Sequence, residues 1–241
     1  MKRWLLACVA LTLACGKAQG DLIVYTVPGT SITVVLEGKT SVIPVVGGTP
    51  LIKFKSPSTG ELIIEMNEIA AAVAAYQDRY QAIPGDDPMA QARWNWTAVP
   101  AAVPSTPGNR NVDGAYNQGT AVPEPESRLF WWHLRQAGFV PGSTDPATAA
   151  LAAQQPTNIV GGITGVTMGA GATTVGLIGL IVCTANVPGK IAIAVDIRLD
   201  EGTSAGGTVR AQRQTVPNEG LGAAAAGYVE DGGAYLLCRK L

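Results

Sequence analysis

The chain has 241 residues, of which 17 are Lys or Arg and 18 are Asp or Glu. This near-neutral balance, with only 15% charged residues, argues against the basic surface that binds nucleic acid or anionic membranes. The length suffices for a full hydrophobic core, and abundant Gly, Ala, Thr and Pro with few charges is typical of secreted surface proteins. We therefore expect one main domain with an appendage and no nucleic-acid partner.

Residues 1–20 have the basic start, apolar run and small-residue ending of a secretory signal, with cleavage predicted before Asp21. The apolar run is too short to span a bilayer, so we expect membrane contact only during export. Acylation at Cys15, as in a lipoprotein, is the alternative. Either way we expect an exported protein, located outside the cell, at its surface or in the periplasm.

Residues 21–57 form a predicted β-rich segment. Four β-branched runs, at 22–25, 31–36, 41–46 and 51–55, are separated by Gly and Pro turns. The pattern predicts a small meander of three or four strands, which is too small to bury a core alone.

Residues 58–241 form the predicted main domain, which begins with an amphipathic helix. Ser58 and Glu61 have the spacing of a capping box, and Pro84 disfavours helical geometry at the residue before it. We expect a helix of about five turns between them. Its predicted packing face recurs at steps of three and four residues: Leu62, Met66, Ile69, Val73, Tyr76 and Tyr80.

A loop-like region follows the turn at Pro84, Gly85 and Asp86 and extends to residue 126. Its oxygen-rich stretch 109–114 invites comparison with a calcium loop, but it lacks the run of carboxylates and the final Glu of one. The pattern favours an ordinary turn, and we expect no bound metal.

The segment 126–142 predicts a short helix that is apolar on most sides and stops at Gly138. It contains Trp132, Leu134 and the single histidine, His133. With no His, Cys or carboxylate at ligand spacing, His133 is interpreted as the polar edge of a packed helix rather than a catalytic base.

The last hundred residues predict strands. Candidates lie at 159–160, 163–168 and 175–183, with a turn at 169–174 that lacks the Lys-Ser/Thr of a phosphate loop, so we expect no cofactor. Strict alternation over 191–200 predicts a half-buried strand, on which Asp196 and Asp200 form a solvated charge ladder. A final strand carries Cys238.

Cys183 and Cys238 are the two cysteines beyond the predicted signal. An even pair in an oxidising compartment predicts one disulfide, worth roughly 4 kcal/mol for a loop of this length. Two buried free thiols are the alternative.

Three ordered blocks of this sequence resemble one bacterial branch of type IV pilins and type II secretion pseudopilins. The first is Tyr76, Tyr80, Ala82, Ile83, Pro84, Gly85, Asp86, Ala90 and Trp94. The second is Glu126, Trp132, His133, Leu134, Ala137, Gly138, Phe139 and Gly142, and the third is Pro188, Gly189, Ala192, Asp196, Leu199, Asp200, Gly202 and Arg210. The resemblance implies an α+β fold, with a long helix packed on an antiparallel sheet, and a C-terminal disulfide is common in that family.

The departure from that family is at the N-terminus, where the usual membrane-anchoring apolar half-helix is replaced by a signal and a β-rich segment. The resemblance implies a non-enzymatic filament subunit that associates with itself or with other pilin-like subunits. A soluble adhesin or ligand-binding protein that does not polymerise is the alternative.

Overall fold

The computed structural model describes residues 22–24, 31–36, 39–44, 52–54, 59–96, 106–121 and 124–241. By contacts the chain divides into two units, Met1–Ser56 and Pro57–Leu241. The predicted signal, Cys15 and the cap at Ser58 lie outside the described residues.

The first unit contains four short strands: β1 (Leu22–Val24), β2 (Ser31–Leu36), β3 (Lys39–Pro44) and β4 (Ile52–Phe54). β2 pairs with β3, and β1 pairs with β4, both antiparallel. The predicted strands are therefore confirmed, but the predicted meander is wrong, because the outer pair encloses the inner one along the chain. Each pair is a two-stranded ladder, which is only marginally stable by itself in water.

The second unit begins with helix α1 (Thr59–Tyr80). Five residues of its predicted packing face, from Leu62 to Tyr76, are buried, and Tyr80 is half-buried. The helix ends earlier than Pro84 predicts, because Gln81 has a left-handed backbone (φ 53°). A right-handed helix cannot continue through that conformation.

The core of this unit lies against a four-stranded antiparallel sheet. Its strands are β5 (Thr164–Ala170), β6 (Ile178–Pro188), β7 (Val209–Gln214) and β8 (Ala234–Lys240), in the order β5-β6-β8-β7. Alternate residues of β8 belong to different clusters: Tyr235 and Leu237 pack with the residues of α1, whereas Leu236 and Cys238 lie in a second cluster. This is the period-two alternation of a sheet that is buried on both faces.

Cys183 and Cys238 form the predicted disulfide. They are directly opposite each other on β6 and β8, in the cluster that does not contain α1. The bond closes a separation of 55 residues, for which loop entropy gives about 4 kcal/mol of stabilisation.

Short helices complete this unit: α2 (Ala90–Arg93), α3 (Glu126–Gln136), a 3₁₀ turn (Pro146–Thr148) and α4 (Ala149–Ala152). The predicted end of α3 is confirmed. Gly138 has φ 77°, its N–H donates to Arg135 O, and the N–H of Phe139 donates to Leu134 O at 2.9 Å. This pair of bonds is a Schellman motif.

The strand predicted over 191–200 is wrong: this stretch is helix α5 (Gly189–Leu199), which lies beside α1. The buried residues of this helix recur at steps of three, three and one: Gly189, Ala192, Val195 and Asp196. Ile197, which the predicted strand would place on its buried face, is 61% exposed. Pro188 precedes the helix in an extended conformation and ends β6. Packing has overridden the β propensity of the isoleucines and valine.

Two smaller predictions in this region have opposite outcomes. Residues 159–160 lie in a turn, so the strand predicted there is wrong. The turn predicted between strands at 169–174 is confirmed, and Thr174 Oγ1 accepts a hydrogen bond from Ala170 N within it. The second unit is thus α+β, with helices on an antiparallel sheet.

Candidate binding site at the end of helix α1

The first two motif blocks meet at one place, which we call the α1 junction: Tyr76, Gly85, Asp87, Arg93 and His133. The N–H of Gly85 donates to His133 Nδ1 at 2.9 Å. Gly85 has φ 94°, and a Cβ there would lie 2.5 Å from Glu126 O, so only glycine fits between the turn and α3.

Asp87, which the sequence did not single out, is the charged centre of this junction. It is 1% exposed, and it accepts hydrogen bonds from Tyr76 Oη at 2.7 Å, Arg93 Nη1 at 2.6 Å and Met89 N at 2.8 Å. Burial acts to raise its pKa, but the bonds from Arg93, Tyr76 and Met89 outweigh burial and lower the pKa. Asp87 is therefore a carboxylate at neutral pH.

His133 is completely buried, so the prediction that it forms a polar edge is wrong. Its ring lies among those of Tyr76, Trp94 and Trp96, with centroids 5.9–6.2 Å away. Burial lowers its pKa to about 3. Because Nδ1 accepts from Gly85, the neutral ring carries its proton on Nε2. A neutral, enclosed imidazole locks the turn to α3 and has no access to a substrate in solution.

Asp86 fixes the loop beside this junction. Its carboxylate accepts hydrogen bonds from three consecutive backbone N–H groups, of Gly108 (2.5 Å), Asn109 (3.1 Å) and Arg110 (2.6 Å). A carboxylate that accepts several backbone N–H groups is a strong anchor. It holds Arg110 in a left-handed conformation, with φ 64°.

Glu126 anchors the other end of the same loop. It accepts hydrogen bonds from Thr106 N at 3.0 Å and from Asp113 N at 2.9 Å. Burial raises its pKa, and the neighbouring charges of Asp113 and Asp86 add to that. Residues 109–114 are an irregular loop, and no group of three or more His, Cys, Asp or Glu in the described residues is placed to hold a metal.

An open groove of about 490 Å³ lies between the end of α1 and this loop. Its walls combine polar and apolar side chains, from Gln77, Gln81, Ala82, Ile83, Asp86, Pro88, Gly108 and Arg110. The volume is within the range of small-molecule sites. Among the predicted motif residues, Ala82, Ile83 and Asp86 line the groove, while Trp132 and Leu134 are buried on α3.

The third motif block lies elsewhere, at the α5 junction: Asp196, Asp200, Gly202 and Tyr228. Asp196 is completely buried and accepts hydrogen bonds from Tyr228 Oη (2.6 Å) and Gly202 N (3.1 Å). Asp200 accepts from Val209 N at 2.8 Å, which ties the end of α5 to β7. The predicted charge ladder is therefore wrong, since both carboxylates anchor backbone.

Burial raises the pKa of Asp196, and hydrogen bonds from Tyr228 and Gly202 only partly oppose it. Asp200 has a lowered pKa: its slight burial acts to raise it, and hydrogen bonds from Val209 and other donors outweigh that. The α5 junction therefore closes the C-terminal end of a helix, and the α1 junction supports a groove.

The groove residues Gln77, Gln81 and Arg110 were not predicted as a site. The signal available in the sequence is the Asp86-Asp87-Pro88 triplet, whose two carboxylates have separate partners 2 to 24 residues away. The chain matches no model of a known family, no curated protein and no solved structure. None of the described helices is long and apolar enough to cross a membrane.

Proposed function

We propose that the chain is an exported structural subunit of a pilus-like or pseudopilus-like filament, which works by packing against copies of itself rather than by catalysis. The observation that supports this proposal is the placement of the three pilin-like motif blocks. Two of them are joined by the bond from Gly85 to His133, and the third closes α5 beside α1. The motif residues thus serve the packing of helices against one antiparallel sheet.

Strand addition is the proposed means of assembly. Among the described residues, neither of the ladders β1–β4 and β2–β3 pairs with a further strand, and backbone N–H and C=O groups on such an edge pair readily with another chain. The four-stranded sheet has one covered edge, because Ala211 of β7 bonds to Ser204 and Ala225. In the described part of the chain, the outer edge of β5 from Val166 to Gly169 pairs with no other backbone. Val166, Thr167 and Gly169 are buried along that edge, so we expect assembly through the strands of the 21–57 segment, in a head-to-tail contact that need not close.

Electron microscopy of secreted protein tests this proposal. We expect filaments from the full chain and none after deletion of residues 21–57. Val34→Pro removes a backbone donor from β2 and should also abolish filaments, whereas the matched control Val34→Thr keeps strand propensity and should retain them. Normal filaments from the deletion variant would refute strand addition by this segment.

A soluble ligand-binding protein is the second candidate, and the groove beside α1 favours it. The described residues that line the groove all belong to the second unit. A protein that stays monomeric and retains a groove ligand would fit this candidate rather than a filament.

A further inference from the structure

The groove beside α1 has walls that are fixed before any ligand arrives. Two of its residues, Gln81 (φ 53°) and Arg110 (φ 64°), have left-handed backbones without being glycine. This conformation is uncommon for residues with a side chain, because it costs free energy. It persists only where contacts with the surroundings offset that cost. Asp86 enforces it at Arg110 through the three backbone bonds described above.

Arg110 presents an available cation to the groove. Its side chain is exposed, and its guanidinium makes no hydrogen bond or ion pair within the described part of the chain. Asp86 forms no ion pair with this guanidinium among the described residues, and its two oxygens accept from backbone N–H groups instead. A free guanidinium binds a carboxylate with two parallel hydrogen bonds.

The other walls suit a ligand that has both hydroxyl groups and an apolar face. The amide of Gln77 can donate and accept, which matches the double character of a hydroxyl group. The Nε2 of Gln81 donates to Asp78 O at 2.8 Å, which leaves its amide oxygen and its second N–H for a ligand. The apolar part of the wall offers C–H surface and is formed by Ala82, Ile83 and Pro88. A sugar ring has polar edges and apolar C–H faces, and a uronic acid adds one carboxylate.

We propose that this groove binds carboxylated sugar residues, such as the uronic acids of an acidic polysaccharide, with Arg110 on the carboxylate. The glutamine amides bind the ring hydroxyls, and the apolar wall packs on the ring face. The groove would bind such a sugar whether or not the chain polymerises, so failure of the filament proposal leaves it intact.

Calorimetric titration of the purified protein with a galacturonic acid trimer tests the proposal. Arg110→Asn removes the guanidinium but tolerates the left-handed backbone and keeps the N–H that donates to Asp86. We expect it to weaken binding by about tenfold to a hundredfold, the loss for hydrogen bonds to a charged group. Arg198→Gln, at an exposed position on α5 outside the groove, is the matched control and should change affinity by less than about twofold.

Two further ligands separate the sugar from its carboxylate. Methyl esterification of the trimer should weaken binding as much as Arg110→Asn does, and acetate alone should bind far more weakly than the trimer. The proposal is overturned if the trimer does not bind, if Arg110→Asn binds it as well as the unaltered protein does, or if acetate binds as tightly. A circular dichroism melt of each variant shows that the fold is retained.

Discussion

The α1 and α5 junctions each contain a buried aspartate that accepts a tyrosine hydroxyl, but the two carboxylates differ in charge compensation. Tyr76 donates to Asp87 at 2.7 Å, and Tyr228 donates to Asp196 at 2.6 Å. Asp87 also bonds to the guanidinium of Arg93, and its pKa is lowered. Asp196 has no ion pair among the described residues, and its pKa is raised.

The difference shows that one nearby cation decides whether the pKa of a buried carboxylate is lowered or raised. Hydrogen bonds from a tyrosine and a backbone N–H do not offset the cost of burying the charge of Asp196. For Asp87, the added hydrogen bond and charge of Arg93 offset that cost. We therefore expect the α1 junction to be rigid and charged, and its stability to depend on each of its residues. The α5 junction should tolerate neutralisation of Asp196.

The largest effect is expected for Gly85→Ala. Its Cβ would meet the backbone oxygen of Glu126 in a left-handed conformation, so we expect a loss of about 3 kcal/mol or more in unfolding free energy. Gly202→Ala at the α5 junction is the control. There the nearest atom is Cγ1 of the exposed Ile197, a side-chain atom rather than backbone, and about 1–2 kcal/mol is expected. Equal losses in urea unfolding would contradict the comparison.

Asp87→Asn is expected to cost about 2–3 kcal/mol at pH 7. The substitution leaves Arg93 without its carboxylate partner. Because the Arg93 side chain is partly exposed, the expected loss of unfolding free energy lies at or below the usual range for a broken buried ion pair. Asp196→Asn removes a buried charge that no cation compensates. The unfolding free energy of this variant should therefore be higher than that of the unaltered protein, or lower by no more than about 1 kcal/mol. A greater loss for Asp196→Asn than for Asp87→Asn would refute the role assigned to Arg93.

His133 is expected to make the protein sensitive to mild acid. Its pKa is about 3 when folded and 6.5 as an ordinary value, so the unfolded chain binds the proton first as the pH falls. Between these two values the free energy of unfolding should fall by up to about 1.4 kcal/mol per pH unit. Urea unfolding from pH 7 to pH 4 measures this slope.

His133→Asn removes that titration while its amide oxygen can still accept from Gly85. The variant should be less stable at pH 7, because the ring contacts are lost, but its stability should fall less steeply in acid. An unchanged slope would show that another group titrates.

Asp196 is expected to give a slope of opposite sign. Its folded pKa is raised above 3.8, so its contribution is fully present below pH 3.8 and is lost as the pH rises through the folded pKa. Asp87, with a lowered folded pKa, loses its contribution only below pH 3.8. In a His133→Asn background, adding Asp196→Asn should reduce the loss that occurs on raising the pH above 3.8, to which Glu126, whose pKa is also raised, contributes the same sign. No difference between these two variants would contradict the raised pKa.

The tyrosine hydroxyls are expected to contribute less than Gly85 and no more than the Asp87 carboxylate. Tyr76→Phe leaves Asp87 with Arg93 and Met89 N, so about 1 kcal/mol is expected. Tyr228→Phe leaves Asp196 with Gly202 N and should cost somewhat more, about 2 kcal/mol. The difference is measured by urea unfolding of the two variants, and a reversed order would contradict it.

The sequence predicts those features that depend on local periodicity. The stripe of α1, the glycine that ends α3 and the cysteine pair each have a signal within a few residues or in their number. The α5 helix was missed because alternation of Ile191, Ile193 and Val195 also suits a strand, and packing against α1 decides between the two. The groove was missed because Asp86 holds backbone more than 20 residues away, which no local pattern encodes.

The proposed role of the chain as a filament subunit is tested most directly by sedimentation velocity of the protein that begins at Asp21, over rising concentration. We predict a series of growing oligomers without a closed end point, which disappears when residues 21–57 are removed. A single monomeric species at the highest concentration, or the same oligomers without residues 21–57, would contradict the account.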